Sequence, residues 1–180
     1  MRYPPQGIGP VPTFHSIQTI AAGASYTPSG NRLLSFHERI TLGIVIVQVQ
    51  DPASTWTEVA RSYYGSSSVD FPTSDSYVRL YNGLGSSVTI CITELSGVAV
   101  RNFTQTIPAS GSYVLPSGWT AWAGTSDDGV QPTLQYYDGS SWNNEFTGPG
   151  RLTFQDENRR RVVNNDPTYS CTIRVVVAIP

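Results

Sequence analysis

Lysine is missing from this chain of 180 residues, and all eleven basic residues are Arg. Charged residues make up only 13% of the sequence, against about 25% in an average globular domain. The formal net charge of −2 provides no general attraction to a phosphate backbone, so direct nucleic-acid binding is not expected. Two cysteines, Cys91 and Cys171, are too few for a disulfide framework, and free thiols are expected. The two histidines, His15 and His37, are far apart and have no Cys or His neighbour at ligand spacing. No metal or cofactor site is therefore expected. The longest apolar run, Leu42 to Val49, is far short of a membrane span. The N-terminus does not read as a signal peptide, because no basic region precedes an apolar one. Phosphate-binding glycine loops and a nucleophile elbow are also missing. Together these gaps argue against an enzyme and for a protein that assembles or binds.

The missing charge is replaced by Ser, Thr, Asn, Gln, Gly and Pro. Such a surface suits close contact with neighbouring protein. Arg in place of Lys suits it too, because Arg is enriched and Lys depleted at interfaces. The first thirteen residues hold Pro4, Pro5, Pro10 and Pro12 with Gly7 and Gly9. Proline excludes a helix here and favours an extended arm. From Ser16 onward helical periodicity is absent. Short runs of Val, Ile, Thr, Tyr and Phe alternate with Gly, Ser, Asn, Asp and Pro, which is the pattern of strands and turns. Strands are predicted near 16–20, 32–40, 43–50, 55–60, 77–81 and 88–95, then near 101–107, 112–115, 120–123, 133–137, 141–146, 151–155, 159–163 and 170–179.

The chain also repeats itself. Gln18, Tyr26, Gln48 and Asp51 recur as Gln105, Tyr113, Gln135 and Asp138, at a constant offset (105 − 18 and 135 − 48 both give 87). Trp56 recurs as Trp142, and Arg79 and Asn82 recur as Arg161 and Asn164. A period of this size is one small β-domain rather than a solenoid repeat. The reading is all-β: two tandem small antiparallel β-sandwich modules, Ig-like or jelly-roll-like, arising from an internal duplication. The expected boundaries are an arm over 1–15, a first module over 16–97 and a second over 98–180, with the join near Ser96-Gly97. Gly43–Val47 and Arg174–Val177 are apolar almost throughout, so both strands are expected to be covered on two faces. Asp138-Gly139 reads as a tight hairpin turn, which Pro52 forbids at the matching place in the first copy.

Few residues offer chemistry. Asp127-Asp128-Gly129 and Asp156-Glu157 lack the spacing of a calcium loop and read as solvated acids. Arg159, Arg160 and Arg161 begin a strand and point to alternate faces, so they do not form one basic patch. The paired tryptophans Trp56 and Trp142 read as packing anchors. The second copy is richer in aromatics, and Trp119, Trp122 and Tyr136 are a candidate platform for a carbohydrate.

The layout resembles small virion structural proteins of tailed bacteriophages. The residues that carry the likeness are Leu134-Gln135, the Asp138-Gly139 turn, Trp142, the strand Arg161-Val162-Val163-Asn164 and the final Val-rich run. The first copy follows the same order but departs at Pro52. The resemblance implies a non-enzymatic protein of the virion, a capsid-decorating or minor capsid type that stabilises the head shell. The implied partners are a major capsid protein or other virion proteins, with further copies of itself in a trimer. The arm residues Tyr3, Pro4, Pro5 and Ile8 would make the capsid contact. A glycan- or receptor-binding module of a fibre or tail, and a jelly-roll coat protein of a non-tailed virus, are the alternatives.

Overall fold

The computed structural model describes residues 12–38, 44–62, 68–74, 76–95, 98–125, 130–155 and 159–179. The arm residues Tyr3, Pro4, Pro5 and Ile8, the Ser96-Gly97 join and both acidic pairs lie outside them. Every regular element among the described residues is a strand. The first eight are β1 (Pro12–Ile20), β2 (Ser25–Tyr26), β3 (Arg32–Glu38), β4 (Val45–Gln50), β5 (Trp56–Arg61), β6 (Val69–Thr73), β7 (Val78–Asn82) and β8 (Val88–Leu95). The next eight are β9 (Ala99–Ile107), β10 (Ser112–Val114), β11 (Gly118–Gly124), β12 (Thr133–Tyr137), β13 (Trp142–Thr147), β14 (Gly150–Gln155), β15 (Arg160–Val163) and β16 (Cys171–Ile179). The first strand opens at Pro12, so residues 12–15, expected in the arm, belong to a sheet.

The strand order turns the sequence repeat into architecture. The first eight strands form sheets ordered β1-β8-β3-β6 and β2-β7-β4-β5. The second eight form sheets ordered β9-β16-β11-β14 and β10-β15-β12-β13. Adding eight to each strand number converts the first module into the second. Two facing four-stranded antiparallel sheets in this order are a jelly roll, so the two tandem sandwiches are both jelly rolls. Even the irregularities recur. A bulge falls between Val47 and Gln48 in one copy and between Leu134 and Gln135 in the other.

One buried Asn locks each module. Asn82 is fully buried, and its Nδ2 donates to the carbonyls of Ile20, Ala21 and Ser86 while its Oδ1 accepts from the Leu84 amide. Asn164 does the same with the carbonyls of Ile107, Pro108 and Tyr169 and the Asp166 amide. Each Asn thus ties the β1–β2 turn, or its counterpart, to the turn that enters the last strand. Gly23 and Ser110 occupy the same left-handed turn position, at φ 67° and 56°. The hairpins after β4 and β12 differ as Pro52 requires. Gly139 takes a positive φ of 104° at the first loop position, where a primed turn places glycine. In the first copy a longer loop closes through Ser54, at φ 68°, and the Thr55 amide donates to Asp51 Oδ1.

The modules are not beads on a string. Along β16, Ile173, Val175 and Val177 enter the second core with Trp122, whereas Val176 joins Ala121 and Ala123 in the core of the first module. In the sheet β9-β16-β11-β14 the two central strands, β16 and β11, are therefore covered on both faces, as the continuous apolar run around Val175 demands. Gly150 lies in the contact between the modules. A Cβ there would sit 2.7 Å from the Trp122 carbonyl oxygen and 2.9 Å from Thr57 Cγ2. Arg174 Nε donates to the Gln50 carbonyl at 2.7 Å, and its guanidinium lies 3.9 Å from the Tyr77 ring centre. Strand β4 departs from expectation. Only Val45, Val47 and Val49 are buried, and Ile46 and Gln48 on the other face are half-exposed. No helix of the described residues is long and apolar enough to cross a membrane.

Candidate functional site

The residues shared by both copies build a brace on the outer face of each β2-type sheet. Arg79 Nε donates to Gln48 Oε1 at 2.7 Å, and the guanidinium lies 4.1 Å from the Trp56 ring centre. Arg161 Nε donates to Gln135 Oε1 at 2.8 Å and lies 4.2 Å from the Trp142 ring. Strand pairing sets Gln opposite Arg in both copies. Burial lowers the Arg79 pKa, while nearby Tyr81 raises it. The tryptophans therefore anchor packing outside the sandwich rather than in its core. An exposed cation–π brace is worth about 0.5–1 kcal/mol. Arg161→Met is expected to cost no more than about 1 kcal/mol in urea unfolding while changing Trp fluorescence. A loss several times larger would mean that the brace holds the sheet together.

The three proposed platform aromatics do not share a surface. Trp122 is 0% exposed inside the second core, and its Nε1 has no hydrogen-bond partner. Trp119 faces the opposite way, on the side of β11 that carries Ala121 and Ala123, with its ring 4.8 Å from Phe154. Tyr136 is half-buried, with the Arg160 guanidinium 5.3 Å from its ring. Cys171 is buried and Cys91 half-buried, and both are free; burial raises the Cys171 pKa. His37 is exposed. Among the described residues, no group of three or more His, Cys, Asp or Glu side chains could hold a metal.

A concavity of about 750 Å³ is a groove where β5 of the first module meets the β13–β14 segment of the second. Trp56, Glu58, Arg61, Phe146 and Arg151 line it. The Glu58–Arg61 pair there has an N–O distance of 2.6 Å and is more than one-third exposed, so it adds little to stability.

The more informative feature is where the copies disagree. Cross-strand registers match Val49 with Tyr136, and Thr57 with Asn143. Through the bulge, Val59 matches Glu145, and the β7 and β15 registers match Val78 with Arg160. In the first copy these positions are 0%, 7%, 3% and 1% exposed. Val49, Val59 and Val78 are part of the core that Ala121, Ala123 and Val176 enter. In the second copy the same flank surrounds a cavity of about 320 Å³ lined by Tyr136, Asn143, Asn144, Glu145 and Arg160.

Its polar groups are held in place. Arg160 meets Glu145 through two contacts of 2.7 and 3.3 Å and also donates to the Phe154 carbonyl. Asn143 Nδ2 donates to Asp138 Oδ2 at 2.8 Å. The Ser141 and Ser140 amides, with help from the Ser140 hydroxyl and Asn143, hold the Asp138 carboxyl well below the usual carboxylate range. The turn that closes the hairpin thus also orients a residue of the cavity. The sequence reading isolated Tyr136 and Arg160 for other reasons and missed Asn143 and Glu145.

No protein-family model matches the sequence, and no curated protein matches it. Solved structures that overlay on it include the exported protein XepA of PBSX, at 10% identity over 92% of this chain and 86% of that one, with a TM-score of 0.32. A conserved protein of unknown function from Pseudomonas aeruginosa overlays at 11% identity over 91% and 80%, with a TM-score of 0.33. A chain of Sulfolobus turreted icosahedral virus overlays at 9% identity over 92% and 90%, with a TM-score of 0.31. Likenesses this low carry no weight for fold or function. The class is defined by the strand order itself: a tandem jelly-roll protein whose two copies share a scaffold and differ on one flank.

Proposed function

We propose that the protein is a non-enzymatic structural component of a virion, a decoration or minor capsid protein that binds and stabilises the head shell. The observation that carries this reading is the fusion of two jelly rolls of identical strand order through one shared core. Jelly rolls recur in capsids, lectins and cupins, so the step from fold to virion is one of fold-level analogy. The composition supports it. A surface low in charge, with Arg and no Lys, suits repeated protein contacts. Two linked modules raise avidity for a repeating lattice without stronger individual contacts. In this reading the Pro-rich arm, through Tyr3, Pro4, Pro5 and Ile8, lies on the major capsid protein or another virion protein, and copies of the chain associate, with a trimer as the expected form.

Co-sedimentation with capsids assembled without the protein tests the reading. The full chain is expected to pellet with the particles. Because β1 opens at Pro12, the variant to compare ends its deletion at Val11 and keeps the strand. That variant is expected to lose most of its binding. Absence of binding by the full chain overturns the virion reading, and undiminished binding by the truncated chain removes the arm from the mechanism.

A further inference from the structure

We propose that the open flank of the second module is a binding site for a neutral saccharide unit. The duplication supplies an internal control. In the first copy this flank is apolar and is closed by the second module, with Gly150 against Thr57 and Val59. In the second copy nothing among the described residues closes it, and Val49, Val59 and Val78 are replaced by Tyr136, Glu145 and Arg160.

A second copy of the chain cannot close it in the same way. The closing face of the second module presents Ala121, Ala123 and Leu152, and strand registers put Ser35, His37 and Asp70 at the matching places in the first module. Repeating the contact between chains would press a histidine ring where an alanine methyl now fits. It would also bring Asp70 toward Glu145 and strip water from both.

The chemistry of the flank selects its occupant. A merely solvated surface would leave long side chains loose, because ordering them costs side-chain entropy. Here Arg160, one-fifth exposed, is fixed on Glu145, on the Phe154 carbonyl and over the Tyr136 ring. The guanidinium and carboxylate cancel each other's charge, so neither an anion nor a cation finds an uncompensated partner. What remains is an aromatic ring with a hydroxyl that has no hydrogen bond among the described residues, and an Asn143 Oδ1 in the same condition. An aromatic body beside a hydroxyl and an amide oxygen that no protein group occupies fits a sugar, whose C–H face is apolar and whose rim is hydroxyl. The volume of about 320 Å³ lies at the small end of ligand pockets, enough for one or two rings.

The test is a ¹⁵N–¹H NMR titration of the intact chain with glucose, galactose, mannose, N-acetylglucosamine, lactose and sialyllactose. The expected result is saturable shifts centred on Tyr136, Asn143–Glu145 and Arg160, with about millimolar affinity for a single ring. Lactose and sialyllactose should bind alike, because Arg160 is already paired. Tyr136→Ala should lower affinity at least about tenfold with the spectrum otherwise intact, and Gln48→Ala on the other module should change nothing. No shifts with any sugar up to its solubility limit, shifts centred elsewhere, or unchanged binding by Tyr136→Ala each overturn the proposal. Strong preference for sialyllactose overturns its neutral character. The site does not depend on the virion reading, since capsid co-sedimentation and sugar titration can fail separately.

Discussion

Asn82→Ala and Asn164→Ala are each expected to destabilise the chain by about 3 kcal/mol, among the largest effects of any polar substitution here. Each Asn serves three carbonyls and one amide from a fully buried position. A buried polar group left unsatisfied costs about 1–3 kcal/mol, and partial hydration of the turn lowers the total below the simple multiple. For a chain of this length that corresponds to a Tm lower by roughly 10 °C. Asp at either position should be worse than Ala near neutral pH. One carboxylate oxygen could still accept the amide, but the other would face three carbonyl oxygens with no proton to give. Urea unfolding of the two Ala variants, the two Asp variants and the double Ala variant checks this. The two Asn lie in different modules and share no hydrogen-bond partner, so the Ala costs should nearly add. A cost below about 1 kcal/mol for either Ala variant would mean that water replaces the amide freely.

These same Asn residues show how far the sequence was legible. Asn82 and Asn164 stood out as repeated positions, but nothing in the sequence revealed that they are buried or what they bind. Fourteen strands could be placed because their runs are long or alternate clearly. Two could not. Strand β2 is only Ser25–Tyr26, and β6 contains Pro72, which is tolerated because β6 is the edge of its sheet. Apolar runs alone do not distinguish one covered face from two. Arg174–Val177 serves two cores, whereas the outer face of β4 is braced by Arg79 and only half covered.

The candidate site was obscured by arithmetic. Trp119 and Trp122 are an odd number of residues apart, so on a strand they must face opposite ways. That parity already argued against a shared platform. The hairpin loop after β12, one residue shorter than the loop after β4, then shifts the offset between copies from 87 to 86 (142 − 56). At an offset of 87, Glu145 aligns with Glu58 and looks shared. At 86 it aligns with Val59, and the replacement of an apolar position by an acid becomes visible.

Val176→Asp is expected to unfold both modules, although the residue belongs to only one. Val175 and Val176 are adjacent on β16 and both fully buried, yet Val175 lies in the second core and Val176 in the first. A carboxylate at position 176 would sit among Val45, Val59, Phe71 and Ala123, with no basic partner in that cluster. Burying an unpaired charge costs at least about 4 kcal/mol, comparable to the whole stability of a marginal domain. Because a variant destabilised this far does not accumulate as folded protein, Val176→Ala provides the graded comparison, at about 1–2.5 kcal/mol. Hydrogen exchange is the measurement that separates the cases. Val176→Ala should lower amide protection in β4, β5 and β6, which lie more than a hundred residues earlier in the chain. Val175→Ala should act first on β9, β11 and β16. If Val176→Ala leaves the first module's protection unchanged, the shared core is a contact without energetic coupling, and the two jelly rolls could be separated at their join. If protection falls as expected, the second module is the lid of the first. Excising it would expose the face that carries Ala121, Ala123 and Val176, together with the opening that face now fills.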